Sequence, residues 1–251
     1  MREEMFGTLD AQKRCERSAS MTRLNTEAMT FKGAQVLQLV YEIHSSARTA
    51  SIPAALHPTT PSIGIWQLFV VPDSPWGPFK LLTQRLACRA GTRLRGFLTG
   101  ALVDNEQAGQ ELEARWGYSC RIASIKFKSF YDQIGCIAVL DGVPVFGGKL
   151  VDPEPINGSE IFYTANVHLA NTPRGLKLVQ VDPEFVFQRA ERGIPHLEDY
   201  QAHAFGDELV RPVWPVSASA SQGDLTLSTL TYVSDPNIPA LHGTEKLNEQ
   251  D

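Results

Sequence analysis

Cys120 and Arg121 stand side by side behind Trp116-Gly117-Tyr118-Ser119, and a thiol beside a guanidinium is a pairing that favours the thiolate. Such a thiolate could add to a carbonyl or to a conjugated alkene. Two facts weigh against it: adjacent strand residues point to opposite faces, and a free cysteine also packs as a small hydrophobe. Arg121 could instead hold a carboxylate or phenolate through two parallel N–H bonds. Gln67 is polar inside the apolar run Ile63 to Val71. Facing inward, its amide donates to a carbonyl and accepts from a hydroxyl; alternation alone leaves inward and outward open. Lys126 and Lys128 alternate with Ile125 and Phe127, which puts both amines on one face as a solvated pair. His168 lies in a strand-like segment, where a lone histidine is either a general base or a hydrogen-bonded structural residue.

Other chemistries lack their spacing. His44, His57, His196, His203 and His242 show no metal-ligand pattern, and neither HExxH nor GxSxG occurs. Gly147-Gly148-Lys149 is not a phosphate-binding loop. No metal and no cofactor are expected. Cys15, Cys88, Cys120 and Cys136 lie far apart without a CxxC pair, as reduced thiols of a cytoplasmic protein do.

The elements that must position these residues are mostly strands. Val36 to Tyr41, Ile63 to Val71, Lys80 to Cys88 and Arg93 to Val103 read as strands, ended by Pro and Gly clusters. Asp104-Asn105 then turns the chain into a helix from Glu106 to Arg115, and Gly117 leads out of it. Ile134 to Leu140 and Val143 to Phe146 flank Asp141-Gly142, the signal of a two-residue hairpin whose central positions both need positive φ. Asn157-Gly158 is read as a second such turn, in preference to the glycosylation acceptor Asn157-Gly158-Ser159. Glu160 to Leu169 should follow as a strand. Many short strands with one substantial helix suggest a closed or sandwiched antiparallel sheet. Residues 1–28 are polar and read as a loosely docked extension, 29–235 as the domain, and 236–251 as a disordered tail.

With 251 residues, 43% hydrophobic and 20% charged, the chain can bury a sizeable core. A net charge of −5 gives no basic surface for nucleic acid, and no apolar run reaches membrane-spanning length.

The stretch from Val103-Asp104-Asn105-Glu106 to Cys120-Arg121 resembles the signature of the acetoacetate decarboxylase family: an Asp-Asn-Glu turn, a helix, then an aromatic, a proline and two lysines. Counted without a gap from Asp104, the aromatic falls on Tyr118, the proline on Ser119, and the two lysines on Cys120 and Arg121. Asp73 to Phe79, Pro173-Arg174, and Val216 to Tyr232 add to the likeness, which spans about Phe31 to Asp235. The resemblance implies a mainly β (α+β) fold, an antiparallel β-barrel or cone with a few short helices and an interior site. It also implies assembly into a homo-oligomer.

In that family the first lysine forms an imine with a β-keto acid, its pKa lowered by desolvation and a cationic neighbour, an effect for which acetoacetate decarboxylase is a standard example. A thiol cannot form an imine, and Arg121 stays protonated. The family's acids fall on Leu81 and near Gln67, and its arginine near Ala34. The resemblance thus implies a barrel that has left lysine chemistry: a lyase, cyclase or isomerase on a polyketide-like or other reactive carbonyl compound. Gln67, Tyr118 and Cys120 are its candidate catalytic residues. Trp66, Leu81, Thr99, Ala101 and Arg121 are candidate substrate contacts, the small Thr99-Gly100-Ala101 run widening the pocket; a core place for Trp66 and a structural or rim place for Arg121 are the competing readings. A ligand-binding protein without catalysis, and an imine former using Lys80, Lys126 or Lys128, are the alternatives.

Overall fold

The apolar runs resolve into one large sheet. A computed structural model describes residues 5–248. In chain order its elements are helix α1 (Ala11–Arg14), strands β1 (Ala19–Ser20) and β2 (Met29–Ile43), helix α2 (Ala47–Ala50), β3 (His57–Pro58), β4 (Ile63–Val71), β5 (Phe79–Ala90), β6 (Arg93–Val103) and helix α3 (Glu106–Trp116). Then come β7 (Cys120–Ile122), β8 (Ser124–Ser129), β9 (Gln133–Leu140), β10 (Val143–Pro155), β11 (Asn166–Thr172), β12 (Gly175–Val181), β13 (Pro183–Tyr200), β14 (Pro212–Leu227), β15 (Tyr232–Ser234), helix α4 (Ala240–Gly243) and β16 (Thr244–Lys246).

The mainly β class with few short helices holds. Pairing runs β16-β15-β12-β11-β6-β5-β4-β2-β14-β13-β10-β9-β8 along an open path. It is mixed where uniform antiparallel closure was expected: β6 pairs in parallel with both β7 and β11. The β7 pairing follows from α3, a crossover that carries the chain back so that Cys120–Ile122 runs alongside Ala101–Val103 in the same direction. Asn105 caps α3 by accepting from the Ala108 N–H at 3.0 Å, and Gly117 ends it in the left-handed region at φ 70. Asp104 fixes the preceding turn by accepting from the Lys80 backbone N–H and from Lys80 Nζ, at 2.6 and 2.7 Å.

β4 and β5 are buried on both faces, because one core cluster lies on each side of them. Trp66, Leu68, Leu82 and Leu86 face one cluster; Phe69, Val71 and Leu81 face the other. Period-2 alternation therefore divides the buried apolar residues of these strands between the two cores.

Three expectations need correction. The 1–28 stretch is no loose extension in its described part: Ala11, Ala19, Met21 and Leu24 are buried, and β1 pairs with Ala170 and Asn171 of β11. Its anchors are single apolar residues at irregular spacing and side-chain bonds to distant carbonyls, which no periodicity reveals. Residues 1–4 lie outside the described part. The 236–251 tail is ordered through 248, where Thr244–Lys246 adds to β15 and the Ala240 N–H donates to the Ala55 carbonyl; 249–251 lie outside the described residues. Asn157-Gly158 is not a hairpin turn but caps the short 3-10 turn Gly158–Glu160 with reciprocal side-chain bonds, so the next strand begins at Asn166. Asp141-Gly142 does form its hairpin, with φ 51 and 79. No helix of the described residues is long and apolar enough to cross a membrane.

Candidate active site

Below the centre of β5, Leu81, Thr83 and Arg85 share a face by alternation, opposite Leu82 and Gln84. Arg85 is fully buried. One Nη donates to Gln67 Oε1 at 2.5 Å, and the other to the Thr164 carbonyl at 2.9 Å and to Asn166 Oδ1. All three acceptors are neutral, and among the described residues no carboxylate pairs with this guanidinium. Burial pulls Arg85 down to about 10, against the opposing influence of Tyr118 and Tyr163, so it is a cation at neutral pH. A cation held in a dry interior by neutral dipoles is costly, and it is ready to meet a negative charge.

The network continues from Asn166, whose Nδ2 donates to Tyr118 Oη at 3.3 Å. Tyr118 meets the His168 ring edge-on at 4.3 Å, and His168 Nδ1 lies 2.8 Å from the Trp116 carbonyl. Burial pushes the Tyr118 phenol up to about 12, with Arg85 and Asn166 acting the other way, so it keeps its proton. Burial, aided by the Arg85 charge and opposed by the Trp116 carbonyl, brings His168 down to about 3, so the imidazole is neutral. Gln67 Nε2, Arg85 Nε and His168 Nε2 are buried polar atoms without a hydrogen-bond partner. Three such atoms in one linked network mark it off from a satisfied core. A void of about 10 Å³ lies beside Tyr118, walled by Phe69, Leu81, Leu112 and other apolar side chains.

A separate outer cavity of about 620 Å³ lies over β6 and β7. Thr99, Gly100, Ala101, Cys120 and Arg121 form its floor, and Arg14, Arg17 and the 203–206 turn form its sides. Arg14 crosses it to donate to the Thr99 and Gly206 carbonyls, both at 2.6 Å. Ala101 belongs to the interior cluster and Cys120 packs against it, so both stand between the outer cavity and that cluster.

The candidates thus separate into three places. Gln67, Tyr118 and Leu81 meet in the interior around Arg85. Thr99, Ala101, Cys120 and Arg121 line the outer cavity. Trp66 belongs to neither: its indole N–H donates to Gln84 Oε1 at 3.1 Å in the opposite core, edge-on to Tyr41 and Tyr200. One step along the strand from Gln67 reverses the face. Cys120 is half-buried, and burial and the Glu113 charge push its thiol above its ordinary value, against the thiolate that its neighbour Arg121 suggested. Arg121 points away and donates to the Ala204 carbonyl at 3.1 Å. The lysines lie elsewhere: Lys80 pairs with Asp104, while Lys126 and Lys128 border an outer groove with Lys149. Arg85, Asn166 and Tyr163 carried no weight in the sequence reading. The signal for Arg85 was a period-2 step from Leu81 through Thr83.

No protein-family model matches the sequence, and no curated protein matches it significantly. Solved structures do match. An acetoacetate decarboxylase from Legionella pneumophila aligns at 18% identity over 83% of this chain and 88% of that one, with TM-score 0.70. The enduracididine biosynthesis enzyme MppR complexed with pyruvate aligns at 13% identity, over 88% and 91%, with TM-score 0.66. An acetoacetate decarboxylase-like enzyme from Sphingomonas wittichii RW1 aligns at 17% identity, over 84% and 98%, with TM-score 0.63. The chain therefore has the acetoacetate decarboxylase fold.

Proposed function

We propose that this chain is a small-molecule enzyme that acts on a reactive carbonyl compound by stabilising an enolate, without forming an imine. The observation that carries this reading is Arg85, a fully buried cation whose partners Gln67, Asn166 and Thr164 are all neutral. Charge that develops on a carbonyl oxygen beside it meets a preorganised, water-free cation, the arrangement that contributes most to this kind of catalysis. Gln67 Nε2 is a second donor without a partner, and Tyr118 is a phenol that keeps its proton. Cys120 and Ala101 are wall residues: substrate enters from the outer cavity and displaces that wall, since the void beside Tyr118 is about 10 Å³.

Elimination, cyclisation and isomerisation at the α-carbon of a carbonyl compound can each pass through an enolate, and a polyketide-like compound from secondary metabolism suits the size of the outer cavity. That MppR binds pyruvate, and in another structure the condensation product of pyruvate and imidazole 4-carboxaldehyde, supports small carbonyl compounds as ligands of this fold. A cytoplasmic setting agrees with four free cysteines.

The test does not need the true product. A panel of β-keto acids, α-keto acids and β-diketones is incubated with the protein in D₂O, and exchange at the α-carbon is followed by proton NMR. Catalysed exchange that is lost in Gln67→Leu and reduced in Tyr118→Phe supports the reading. Tight binding without exchange would make this a ligand-binding member of the fold instead.

A further inference from the structure

An enolate mechanism needs a base, and the interior around Arg85 holds one nitrogen whose lone pair is free. We propose that His168 Nε2 removes the α-proton of the substrate. The inference rests on the enolate reading above and adds the proton acceptor that the reading lacks.

The argument starts at the end of α3. The last carbonyls of a helix have no partner within it, and the Trp116 carbonyl is one of these. Gly117 turns the chain into the left-handed region, its own N–H returning to Leu112 and Glu113, and leaves that carbonyl facing β11. It lies 2.8 Å from His168 Nδ1. A carbonyl only accepts, so Nδ1 carries the hydrogen and Nε2 carries the lone pair. Nε2 is buried and has no hydrogen-bond partner. Asn166 and His168 sit two apart on β11 and share a face, which places the imidazole in the group of Arg85 and Tyr118.

The step balances within the site. The Nε2 lone pair forms an N–H bond as the α-carbon–hydrogen bond breaks. The released electron pair forms the carbon–carbon double bond, and the carbonyl π pair moves to oxygen, beside the Arg85 guanidinium. The imidazolium then returns its proton to carbon in an isomerisation, or to a departing oxygen in a dehydration. At rest, burial and Arg85 together keep the ring neutral and its Nε2 lone pair unprotonated, and they also make it a weak base, so the transfer depends on the enolate charge that forms with it. The enolate offsets the Arg85 charge at the moment the imidazolium forms.

The test uses the whole protein and the same exchange assay. His168→Asn puts an amide N–H where Nδ1–H was, so the bond to Trp116 is kept while the Nε2 lone pair is lost. We expect its kcat for α-proton exchange to fall by ~100-fold or more, with KM little changed. ¹⁵N NMR of the resting imidazole should show the proton on Nδ1. Exchange by His168→Asn at the wild-type rate overturns the inference, as does a resting ring protonated on Nε2. The parent reading fails differently, by wild-type exchange that survives Arg85→Met. A wild type that exchanges no compound of the panel overturns both.

Discussion

Arg85 and Arg95 are buried arginines on neighbouring strands, and they have been given opposite surroundings. Arg95 reaches the end of β12, where its guanidinium meets both Asp182 oxygens and, at 3.2 Å, Gln180 Oε1. Asp182 is 45% exposed, so that pair sits at the edge of the sheet with its charge cancelled and partly hydrated. Arg85 lies deeper, with amide and carbonyl oxygens only. A protein that needed an arginine merely to join strands has shown, one strand away, how it supplies the acid. The contrast agrees with a structural Arg95 and supports the proposal that Arg85 serves a ligand's negative charge.

Exchanging each arginine for methionine tests that contrast most directly. Arg85→Met should lower α-proton exchange by ~100-fold or more, because preorganised charge on the oxygen is lost. Arg95→Met should leave turnover of the folded protein unchanged and lower the stability measured in urea by about 1–2 kcal/mol, the exposed Asp182 limiting the effect. Equal losses of turnover in both variants would erase the distinction between the two sites.

A second experiment uses acid. His168 is held down to about 3 in the fold by burial and by Arg85, against 6.5 for the free group. Between those values the unfolded chain binds a proton that the folded chain does not. The sign follows: stability is unaffected above pH 6.5 and falls as pH drops below it, by about 1.4 kcal/mol per unit. Between pH 6.5 and 5, before most carboxylates titrate, the loss should reach about 2 kcal/mol, and His168→Asn should abolish most of it. The charged and titratable neighbours are Arg85 and Tyr118; Tyr118 keeps its proton across this range. A wild type whose urea midpoint is flat from pH 6.5 to 5 would mean that His168 is not buried as a neutral base.

The sequence carried the frame further than the site. Asp104-Asn105, Gly117 and Asp141-Gly142 are short-range signals, and each does locally what its residue types dictate. Tyr118 is reached by counting from Asp104, whereas alternation left the facing of Gln67 open; both reach the interior. Arg85 could not be placed so easily, because a charge inside a strand ordinarily marks a solvated edge. Its acceptors Thr164 and Asn166 come from some eighty residues further along the chain, a distance over which spacing carries no information. Trp66 adjoins Gln67 in β4, and adjacent strand residues point to opposite faces, so it joins the other core. Arg14 was hidden for another reason: its partners are the Thr99 and Gly206 main-chain carbonyls, which leave no mark in the amino-acid sequence.

The mildest effect is expected at Cys120, and it separates the outer cavity from the interior. Counting places this thiol where a lysine nucleophile stands in the family that the sequence resembles, so a reactive cysteine is the tempting reading. Its surroundings oppose that: the thiol packs against the interior cluster, and burial and Glu113 both raise its pKa. A thiol so held is largely un-ionised at pH 7 and attacks electrophiles slowly. Cys120→Ala should therefore exchange α-protons at close to the wild-type rate, and the wild-type thiol should react with iodoacetamide at pH 7 more slowly than an unperturbed cysteine. Cys120→Trp, which fills the floor of the outer cavity, should raise KM while leaving the interior network intact. Rapid alkylation together with loss of exchange in Cys120→Ala would move the chemistry out of the interior, and Arg85 would then have to be explained without a substrate.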